Sequence, residues 1–446
     1  MNITLPSTIE YVLSALENNG YECFIVGGCV RDFLMGKMPH DYDVTTSATP
    51  EQIKECFKCH KVIETGIKHG TITVVINGEN IEITTYRIDG DYKDNRHPEQ
   101  VEFSKNIEDD VKRRDFTINS IAYNPRSGFV DLFNGRTDIE NGVITCVGNA
   151  DERFNEDALR ILRALRFASV LGFDISYETS DSIHKNKALI GNVSMERIWL
   201  EFKKLICGIN AYKVFLEYVD VIGVFIPEIL KTVGFEQNNP YHCYNVFEHT
   251  VNALKNAPDD VIIRLAAFFH DIGKPCVYSQ DENGVGHFYS HGKVSEEIAN
   301  AALTRLRCDN FTKEKVCMLV KYHDRPIELN ERAIKKLLTK LSFEDVRSLL
   351  VLKRCDILAQ SPDIHNERCA YLDKIGELVD KIEADDACLS LHSLSIDGND
   401  LKLLGIKEGR AIGELLDLVL DSVINEKLPN EKDALLDYVK NLIKIT

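Results

Sequence analysis

The spacing of apolar residues predicts both strands and helices in the first part of the chain. Residues 7–19 carry apolar side chains three or four positions apart, which is typical of an amphipathic helix. These apolar positions are Ile9, Val12, Leu13 and Leu16. Residues 24–26 form a short apolar run, and residues 71–76 and 81–86 are β-rich runs on either side of a turn-forming segment, residues 77–80. This pattern indicates a mixed β-sheet with helices.

The rest of the chain shows the helical period almost throughout. Residues 153–173 place apolar side chains at positions 159, 162, 165 and 167, which predicts one helix with a single buried stripe. Residues 261–269 predict an apolar helix that ends before Gly273 and Pro275. After residue 389, short helices are separated by Gly398, Gly405, Gly409 and Gly413. The expected fold class is therefore α+β, with a mixed-sheet unit first and all-helical units after it.

Length and composition limit the class of protein. A chain of 446 residues is too long for one hydrophobic core, so about three domains are expected. No stretch is apolar and long enough to cross a bilayer, and the N-terminal residues lack the features of a secretory signal. The 13 cysteines are scattered and odd in number, which favours reduced thiols and a cytoplasmic location.

The net charge of −17 argues against a general nucleic-acid binder and against DNA as a partner. Binding to RNA is compatible with this charge only if basic residues gather on one concave face. The candidates for such a gathering are Arg153, Arg160, Arg163 and Arg166.

A glycine pair and two aspartates close to the N-terminus combine the features of a site for a nucleoside triphosphate and divalent cations. After an apolar strand, Gly28 lets the backbone approach a phosphate and Arg31 adds positive charge. An extended segment then carries Asp41 and Asp43, which point the same way in a strand. Two close carboxylates repel each other, and a pair of divalent cations relieves that repulsion. Glu82 is either a third carboxylate facing them or an exposed edge residue.

The stretch GGCVRDFLMG followed by DYDVTT resembles the head-domain signature of the class II tRNA nucleotidyltransferases, the CCA-adding enzymes, and of their poly(A) polymerase relatives. The resemblance covers nearly the whole chain and implies four domains. They are a polymerase-β-like nucleotidyltransferase head (1–150), a helical neck with a base-recognition helix (151–225), an HD metal-binding helical domain (226–370) and a helical tail that binds tRNA (371–446). The resemblance also implies two Mg²⁺ ions at Asp41 and Asp43, with CTP, ATP, and the 3′ end and elbow of tRNA as partners.

The same resemblance implies roles for residues around the triphosphate. In the element RRDFTIN, Arg114 would hold phosphate and Asp115 would accept a hydrogen bond from a ribose hydroxyl. Further along, Arg163 and Arg166 would reach phosphate or orient the nucleotide. In residues 87–103, a loop would help the final adenosine addition, through Asp94 and Arg96.

Base selection is expected to come from one carboxylate and one guanidinium. Cytosine and adenine both present an amino donor beside a ring acceptor, whereas guanine and uracil reverse that order. An acid paired with an arginine therefore accepts C and A and rejects G and U. Asp157 and Arg160 have these types at a spacing of three, and they match the EDxxR element of the resembled family. Glu196 and Arg197, on the next helix, would support the base-reading helix.

A second group of metal-binding residue types lies further along the chain. His249 precedes the motif HDIGKP, which contains His270 and Asp271 after an apolar helix, and Asp356 follows. This order resembles HD-type metal-dependent phosphohydrolases and implies that these four residues bind a divalent metal. The candidates for a second metal are His291 and His323. The sequence leaves open whether this domain hydrolyses a substrate or serves only as a helical scaffold.

The expected reaction is the template-independent addition of CCA to the 3′ end of tRNA, with release of pyrophosphate through a two-metal mechanism. The first alternative is an A-adding enzyme or a poly(A) polymerase with the same head. The second is an HD phosphohydrolase with an RNA-binding head, and the third is a non-catalytic tRNA-binding protein. The loop at residues 87–98 argues against a purely CC-adding enzyme, since the resembled CC-adding members have an altered loop.

Overall fold

A computed structural model of the chain describes residues 3–89, 101–239, 243–385 and 388–445. The chain forms two compact units. Unit 1 is Met1–Leu230 with Arg305–Cys308, and unit 2 is Lys231–Thr304 with Asp309–Thr446. Unit 1 contains the mixed sheet and unit 2 consists mainly of helices, so the expected α+β fold class is confirmed. The finer division into head, neck, HD domain and tail stays a prediction.

Unit 1 combines strands with helices along its whole length. Its strands are β1 (Cys23–Val26), β2 (Asp43–Thr46), β3 (Lys61–Ile63), β4 (Thr71–Ile76), β5 (Glu79–Thr85), β6 (Arg87–Asp89), β7 (Val101–Phe103), β8 (Ile121–Asn124), β9 (Gly128–Asp131), β10 (Val143–Ile144) and β11 (Asp174–Ile175). Its helices are α1 (Ser7–Asn18), α2 (Gly28–Leu34), α3 (Pro50–Cys56), α4 (Ile107–Lys112), α5 (Gly135–Asn141), α6 (Ala150–Glu156), α7 (Leu159–Leu171), α8 (Tyr177–Asn186), α9 (Met195–Ile206) and α10 (Ala211–Ile222).

One sheet of unit 1 has the strand order β3-β4-β5-β2-β1-β8-β9. β2 is antiparallel to β1 and parallel to β5, so the sheet is mixed. Phe24, Val26 and Tyr86 belong to a buried apolar cluster that packs on this sheet. The register places Asp43, the first residue of β2, opposite Glu82 of β5. An apolar core therefore holds a strand end that carries acidic side chains.

The turn between β4 and β5 follows from its sequence. Asn77 and Gly78 both have positive φ, 52° and 86°, the conformation that Asn and Gly adopt most readily. Two such residues form the tight connection whose twist suits an antiparallel hairpin. The predicted hairpin is confirmed, although β5 begins at Glu79 rather than at residue 81.

The prediction of one continuous helix over residues 153–173 is wrong. The structure has two helices there, α6 and α7, because the backbone of Asp157 is extended, with φ −138° and ψ 102°. The Asp157 side chain accepts a hydrogen bond from the backbone N–H of Leu159, at 3.1 Å, where α7 begins. This local bond competes with the helical backbone hydrogen bonds, so one helix ends before Asp157 and a new helix begins after it.

The prediction that Asp41 and Asp43 lie in one strand is only partly right. β2 begins at Asp43, and Asp41 precedes it in irregular structure. Strand alternation therefore does not fix the direction of the Asp41 side chain. The two carboxylates still interact, as the electrostatics of Asp43 described below indicate.

Unit 2 is a set of packed helices with one small hairpin. The hairpin strands are β12 (Ser279–Gln280) and β13 (Gly286–His287). The helices are α11 (Val246–Asn256), α12 (Val261–Phe269), α13 (Lys274–Val277), α14 (His291–Arg305), α15 (Asn310–Tyr322), α16 (Glu331–Leu338), α17 (Phe343–Leu358), α18 (His365–Ala384), α19 (Gly398–Leu403), α20 (Arg410–Ile424) and α21 (Lys432–Ile445). Within the described residues, no helix combines the length and the hydropathy needed to cross a bilayer.

The end of the chain has an apolar cluster of its own. Leu401 of α19, Val419 of α20, and Leu435 and Val439 of α21 are buried together in it. Helices of this length are marginal alone in water, so the shared burial of these side chains stabilises all three. The helices form a packed part of unit 2, while the bounds of the expected tail and its binding of tRNA stay predictions.

Candidate active site

Three acidic side chains lie at one end of the central strands of the unit 1 sheet. Desolvation raises the pKa of Asp43 above its usual range, the Arg114 guanidinium opposes this rise, and the Asp41 carboxylate adds to it. Desolvation also raises the pKa of Glu82, and the charges of Asp43 and Asp41 raise it further. Carboxylates that raise each other's pKa store repulsion, which a bound cation relieves. The donor set, all carboxylate oxygen, suits a hard divalent ion such as Mg²⁺.

The turn between β1 and α2 brings backbone and guanidinium groups together next to this acidic edge. Gly27 has φ 79°, and a Cβ at this position would lie 3.1 Å from Arg114 Nη1. Only glycine therefore allows both the backbone conformation and the close approach of Arg114. Gly28 starts α2, which carries Arg31 one turn later.

Two arginines next to the glycine turn are held by fixed partners. Arg31 donates from Nη2 to Asp32 Oδ1 at 2.7 Å and from Nη1 to Asn119 Oδ1 at 2.8 Å. Arg114 donates to the buried carboxylate of Asp110 at 3.0 Å. The Arg114 Nε atom is buried and makes no hydrogen bond in the structure. A buried N–H donor without an acceptor costs free energy, and an anionic ligand would satisfy it.

Asp115, expected to bind a ribose hydroxyl, is fully engaged with protein groups. Its Oδ2 lies 2.6 Å from Arg163 Nη2, and its Oδ1 accepts from the N–H of Phe116 and from Asn119. Burial alone would raise its pKa, but the Arg163 charge and hydrogen bonds lower it to about 2. A ribose hydroxyl at Asp115 must therefore share or replace one of these donors.

The two residues expected to read the base also have protein partners. Asp157 Oδ2 accepts from Arg197 Nη2 at 3.0 Å. Arg160 is 8% exposed and donates to Glu156 Oε2 at 2.6 Å and to the backbone carbonyl of Arg113 at 3.0 Å. The structure brings Asp157 and Arg160 to the start of α7 but forms no hydrogen bond between these two described side chains.

The next helix, α9, contributes three residues with different surroundings. Arg197 contacts Asp157, in agreement with its expected supporting role. Glu196 lies instead 3.8 Å from Arg307 and is exposed. Glu201 was missed by sequence reasoning: its Oε2 lies 2.7 Å from Arg166 Nε, in an ion pair that is largely buried. An acid on the otherwise apolar face of α9 was the available signal.

Unit 2 gathers the predicted HD residues around one carboxylate. His249 Nε2 lies 3.2 Å from His270 Nε2, 3.3 Å from Asp271 Oδ2 and 3.0 Å from Asp356 Oδ1. The other oxygen, Asp271 Oδ1, lies 3.3 Å from His291 Nε2. His323 completes this second group, with its Nε2 3.1 Å from that of His291 and 3.5 Å from Asp271 Oδ1. Asp271 thus lies between two groups of possible ligands.

The orientation of the four imidazoles fits metal binding. Each Nδ1 lies at hydrogen-bond distance from a backbone carbonyl: those of Ala359, Ala267, Phe288 and Val320. Because a carbonyl only accepts, each Nδ1 donates, and in the neutral ring Nε2 then carries a lone pair. The Nε2 atoms of His249 and His270 lie 3.2 Å apart, and those of His291 and His323 lie 3.1 Å apart. Two lone pairs at such a distance repel each other unless a proton or a cation lies between them. The donor set suits a divalent metal.

A cavity of about 700 Å³ lies beside this group. His323 and Asp356 form part of its wall, and Lys353, Arg368 and Lys374 line it as well. The half-buried Lys353 ammonium donates to the backbone carbonyl of Arg325 at 2.7 Å. Asp324 and Glu367 also line the cavity, so cations and carboxylates are both within reach of a ligand there.

Sequence reasoning missed Lys274 near the unit 2 ligand group. Its Nζ lies 2.7 Å from Asp271 Oδ2 and 2.7 Å from Gln237 Oε1, and the side chain is buried. The motif HDIGKP contained it, but only the helical geometry after Asp271 shows that it turns back onto the carboxylate. The predicted loop residues Asp94 and Arg96 lie outside the residues that the structure describes.

Three family descriptions match separate parts of the chain. "Poly A polymerase head domain" matches residues 23–145, and "Probable RNA and SrmB- binding site of polymerase A" matches residues 172–229. "tRNA nucleotidyltransferase domain 2 putative" matches residues 280–439. The first match contains the acidic edge and the glycine turn of unit 1.

Similar proteins span the full chain. The CCA-adding enzyme of Staphylococcus haemolyticus is 32% identical over 449 residues, covering 100% of both chains, and that of Staphylococcus aureus is 34% identical over 456 residues, with the same coverage. The solved structure of the Bacillus stearothermophilus CCA-adding enzyme in complex with CTP has a TM-score of 0.74 and 25% sequence identity, covering 99% of both chains.

Proposed function

The chain belongs to the family of CCA-adding enzymes, and from this membership we propose that it adds CMP, CMP and AMP in turn to the 3′ end of tRNA, releasing pyrophosphate each time. Its partners are tRNA, CTP and ATP. The observation that supports the proposal most is the position of the acidic edge at Asp41, Asp43 and Glu82, next to the glycine turn that the Arg31 and Arg114 side chains approach. A cytoplasmic location stays a prediction.

Asp41 and Asp43 hold the divalent ions in this proposal, and Glu82 supports them from the neighbouring strand. Two Mg²⁺ ions bound there would supply Lewis acidity at the attacking 3′-hydroxyl and at the leaving pyrophosphate. The raised pKa values of Asp43 and Glu82 support this assignment, because they reflect repulsion that cations remove. The protein's contribution is to fix the carboxylates of Asp43 and Glu82 on two hydrogen-bonded strands before substrate arrives.

The triphosphate binds, in this proposal, to the turn at Gly28 and to guanidinium groups of Arg31, Arg114, Arg163 and Arg166. The buried, unsatisfied Nε of Arg114 supports this assignment. Arg166 Nε lies 2.7 Å from Glu201 Oε2, so Arg166 would reach a phosphate through its other guanidinium nitrogens. An incoming phosphate oxygen would give Arg114 Nε an acceptor.

Asp157 and Arg160 select the base in this proposal, with Asp157 accepting from the amino group and Arg160 donating to the ring acceptor. Each must first exchange a protein partner, Arg197 for Asp157 and Glu156 for Arg160. The extended backbone at Asp157 supports the exchange, since its side chain is outside the regular helical backbone. No template strand is then needed, because the side chains supply the pairing edge.

The test uses tRNA that lacks one, two or three of its 3′-terminal nucleotides, incubated with CTP or ATP separately. We expect CTP to extend the two shorter substrates and ATP to extend only tRNA ending in CC. Incorporation of ATP alone, with no use of CTP, would instead identify an A-adding enzyme. Repeated ATP addition beyond one residue would identify a poly(A) polymerase.

The ligand group in unit 2 favours a second candidate function, metal-dependent hydrolysis of phosphate esters. The observation that supports it is the convergence of four Nε2 atoms on the two oxygens of Asp271, beside a cavity lined by both cationic and acidic side chains. His249, His270, Asp271 and Asp356 hold the first metal in this proposal. His291 and His323, with Asp271, hold the second. A divalent ion there would activate water and neutralise phosphate charge.

The two activities are separable by mutation. Hydrolysis of p-nitrophenyl phosphate in the presence of Mn²⁺ is expected in the wild type and in Asp43→Asn, and it is lost in His270→Asn. Nucleotide addition to tRNA is expected in the wild type and in His270→Asn, and it is lost in Asp43→Asn. Absence of hydrolysis from wild-type protein that is shown to contain metal would leave the helical unit as a metal-binding scaffold and reject this second activity for that ester.

A further inference from the structure

Three guanidinium groups surround one aromatic ring in unit 1. The central carbons of Arg166, Arg31 and Arg163 lie 4.1, 5.2 and 5.4 Å from the centroid of the Phe167 ring. Arg31 comes from α2, whereas Arg163, Arg166 and Phe167 come from α7. Phe167 is 7% exposed, so water has little access to this contact. The ring thus links the glycine turn of the sheet to the helix that carries the other arginines.

Each of these guanidinium groups has an anionic neighbour in addition to the ring. Arg31 contacts Asp32, Arg163 contacts Asp115, and Arg166 contacts Glu201. The three acids lie in different elements: on α2, in the segment before β8, and on α9. Each arginine therefore has an acid of its own, whereas the Phe167 ring is the contact that all three share.

Like charges this close repel each other, and two features of the structure reduce the cost. The ring face carries negative electrostatic potential and attracts cations within about 6 Å of its centroid. A desolvated contact of this kind is stronger than an exposed one. Burial lowers the pKa of Arg166, and the charges of Arg163 and Arg31 lower it further, which shows the strain that the ring and Glu201 offset.

The Phe167 ring is itself fixed by the core. It packs edge-on against Phe116, with centroids 5.8 Å apart and an interplanar angle of 82°. Phe116 is fully buried and follows Asp115 in the chain. A ring held in this way has one orientation, so it can hold flexible arginine side chains in one arrangement before a ligand binds.

We propose that Phe167 is a positioning residue for the triphosphate: its ring holds Arg31, Arg163 and Arg166 in the arrangement that binds phosphate. This inference rests on the proposed role of those arginines in binding the nucleotide. Phe167 acts on the phosphates and not on the base, because the arginines that touch it are not the pair assigned to base reading. Loss of the ring therefore weakens CTP and ATP to the same extent.

The test is Phe167→Leu in the full-length chain, with Phe167→Tyr as the rescue variant that keeps the ring. We expect Phe167→Leu to raise the dissociation constant and KM of both CTP and ATP about tenfold, which corresponds to two or three lost cation–ring contacts. The kcat and the preference for C and A over G and U stay within about twofold, a margin below one such contact. Phe167→Tyr restores wild-type KM values.

Phe57→Leu is the matched control, because Phe57 is fully buried in the same unit and, among the described residues, its ring packs near His60, with centroids 6.2 Å apart, and not near an arginine of this group. It is expected to lower the thermal midpoint without changing KM. If Phe167→Leu and Phe57→Leu lower the thermal midpoint alike and leave KM alike, the inference is overturned. Should Phe167→Leu fail to fold, Phe167→Met, whose flexible side chain adapts to irregular gaps in a core, is measured in its place.

Arg166→Gln separates failure of this inference from failure of the proposed function. If this variant leaves the KM of CTP and ATP unchanged, the arginines do not bind the triphosphate and the proposed function of this group is wrong. If it raises KM and Phe167→Leu does not, only the role of Phe167 is wrong. The double variant Phe167→Leu/Arg166→Gln tests whether the two residues act together. If its rise in KM equals the product of the rises in the two single variants, the residues act independently and the inference is overturned.

Discussion

Asp43 of β2 lies opposite Glu82 of β5 in the parallel register of the unit 1 sheet, and each carboxylate lies in the electrostatic field of the other. The backbone hydrogen bonds of two strands fix this pair, so the repulsion between the acids is built into the fold. A site of this kind is ready for cations before any substrate binds.

Removing a carboxylate from the acidic edge should abolish nucleotide addition without weakening the fold. Asp43→Asn is expected to lower the rate of CMP addition about 1000-fold or more, because a metal position is lost. The thermal midpoint should stay the same or rise, since the variant removes repulsion with Asp41 and Glu82. Single-turnover extension of tRNA and a thermal melt measure the two effects. An active Asp43→Asn variant would contradict the assignment.

Glu82→Gln distinguishes a metal ligand from a supporting residue. If Glu82 supports the ions from the neighbouring strand, the variant keeps activity but needs a higher Mg²⁺ concentration, with about a tenfold rise in the half-saturating value. The measurement is a Mg²⁺ titration of CMP addition beside the wild type. An unchanged titration curve would show that Glu82 is only a strand residue with no part in metal binding.

Gly27 should be more sensitive to substitution than another glycine of positive φ. Gly27→Ala combines backbone strain with a contact of 3.1 Å to Arg114, whereas Gly78→Ala has φ 86° but no neighbouring atom within 4 Å of the new Cβ. Both variants should lose stability by about 1–3 kcal/mol through strain. Only Gly27→Ala should also raise the KM of CTP, as steady-state kinetics would show. Equal KM values for the two variants would refute the role of this close approach.

The ion pair between Asp115 and Arg163 should stabilise unit 1 in a pH-dependent way. The pKa of the Asp115 carboxyl is about 2 in the folded state, below the reference value of 3.8. The unfolded state therefore takes up the proton first as the pH falls. The contribution, on the order of 2 kcal/mol, is fully present above about pH 5 and is lost from about pH 4 towards pH 2. Thermal melts of wild type and Asp115→Asn should converge over that range. A difference that stays constant down to pH 3 would count against the pair.

Arg197 should affect base selection through Asp157 alone. Arg197→Met removes the donor that holds Asp157 at 3.0 Å, while leaving Arg160 and its Glu156 contact in place. We expect lower discrimination between CTP and UTP, by about tenfold, because the carboxylate loses its fixed position. Incorporation of each of the four nucleoside triphosphates into tRNA lacking CCA measures this. Glu196→Gln is the control on the same helix, since Glu196 is exposed and faces Arg307.

Metal binding in unit 2 is testable independently of activity. His270→Asn should lower the affinity for Mn²⁺ by more than the roughly 10- to 100-fold that accompanies loss of an outer partner, because it removes a direct ligand. Elemental analysis and Mn²⁺ titration by paramagnetic resonance give the readout. The His287→Asn variant is the control, as His287 pairs with Asp281 away from the ligand group. Equal metal content in both variants would exclude the proposed ligand set.

The sequence predicted the parts of the fold that depend on local chemistry. The amphipathic period of α1, the Asn77–Gly78 turn and the glycine pair before α2 each have one conformation that suits them, and the structure adopts it. The HD residues were predicted as a set because their types are unusual in apolar helices, and the structure brings them together.

The parts that sequence did not predict depend on tertiary contacts. The break between α6 and α7 arises because the Asp157 side chain bonds the backbone of Leu159, whereas the apolar period alone continues through it. Glu201 and Lys274 were missed because the sequence does not distinguish a buried charged residue from an exposed one. Only the tertiary structure shows their partners, Arg166 for Glu201 and Asp271 for Lys274. The roles assigned to individual site residues stay predictions.

The interruption at Asp157 has a mechanical consequence. In one continuous helix, Asp157 and the arginines of α7 would move together, so any adjustment to a new base would also move the phosphate contacts. Here the helix is interrupted between Glu156 and Leu159. Rotation about the backbone torsions of Asp157 can therefore turn its carboxylate while the later turns of α7 keep their position. We expect the interruption at Asp157 to accommodate both a pyrimidine and a purine, so that one arrangement of phosphate contacts serves CTP and ATP.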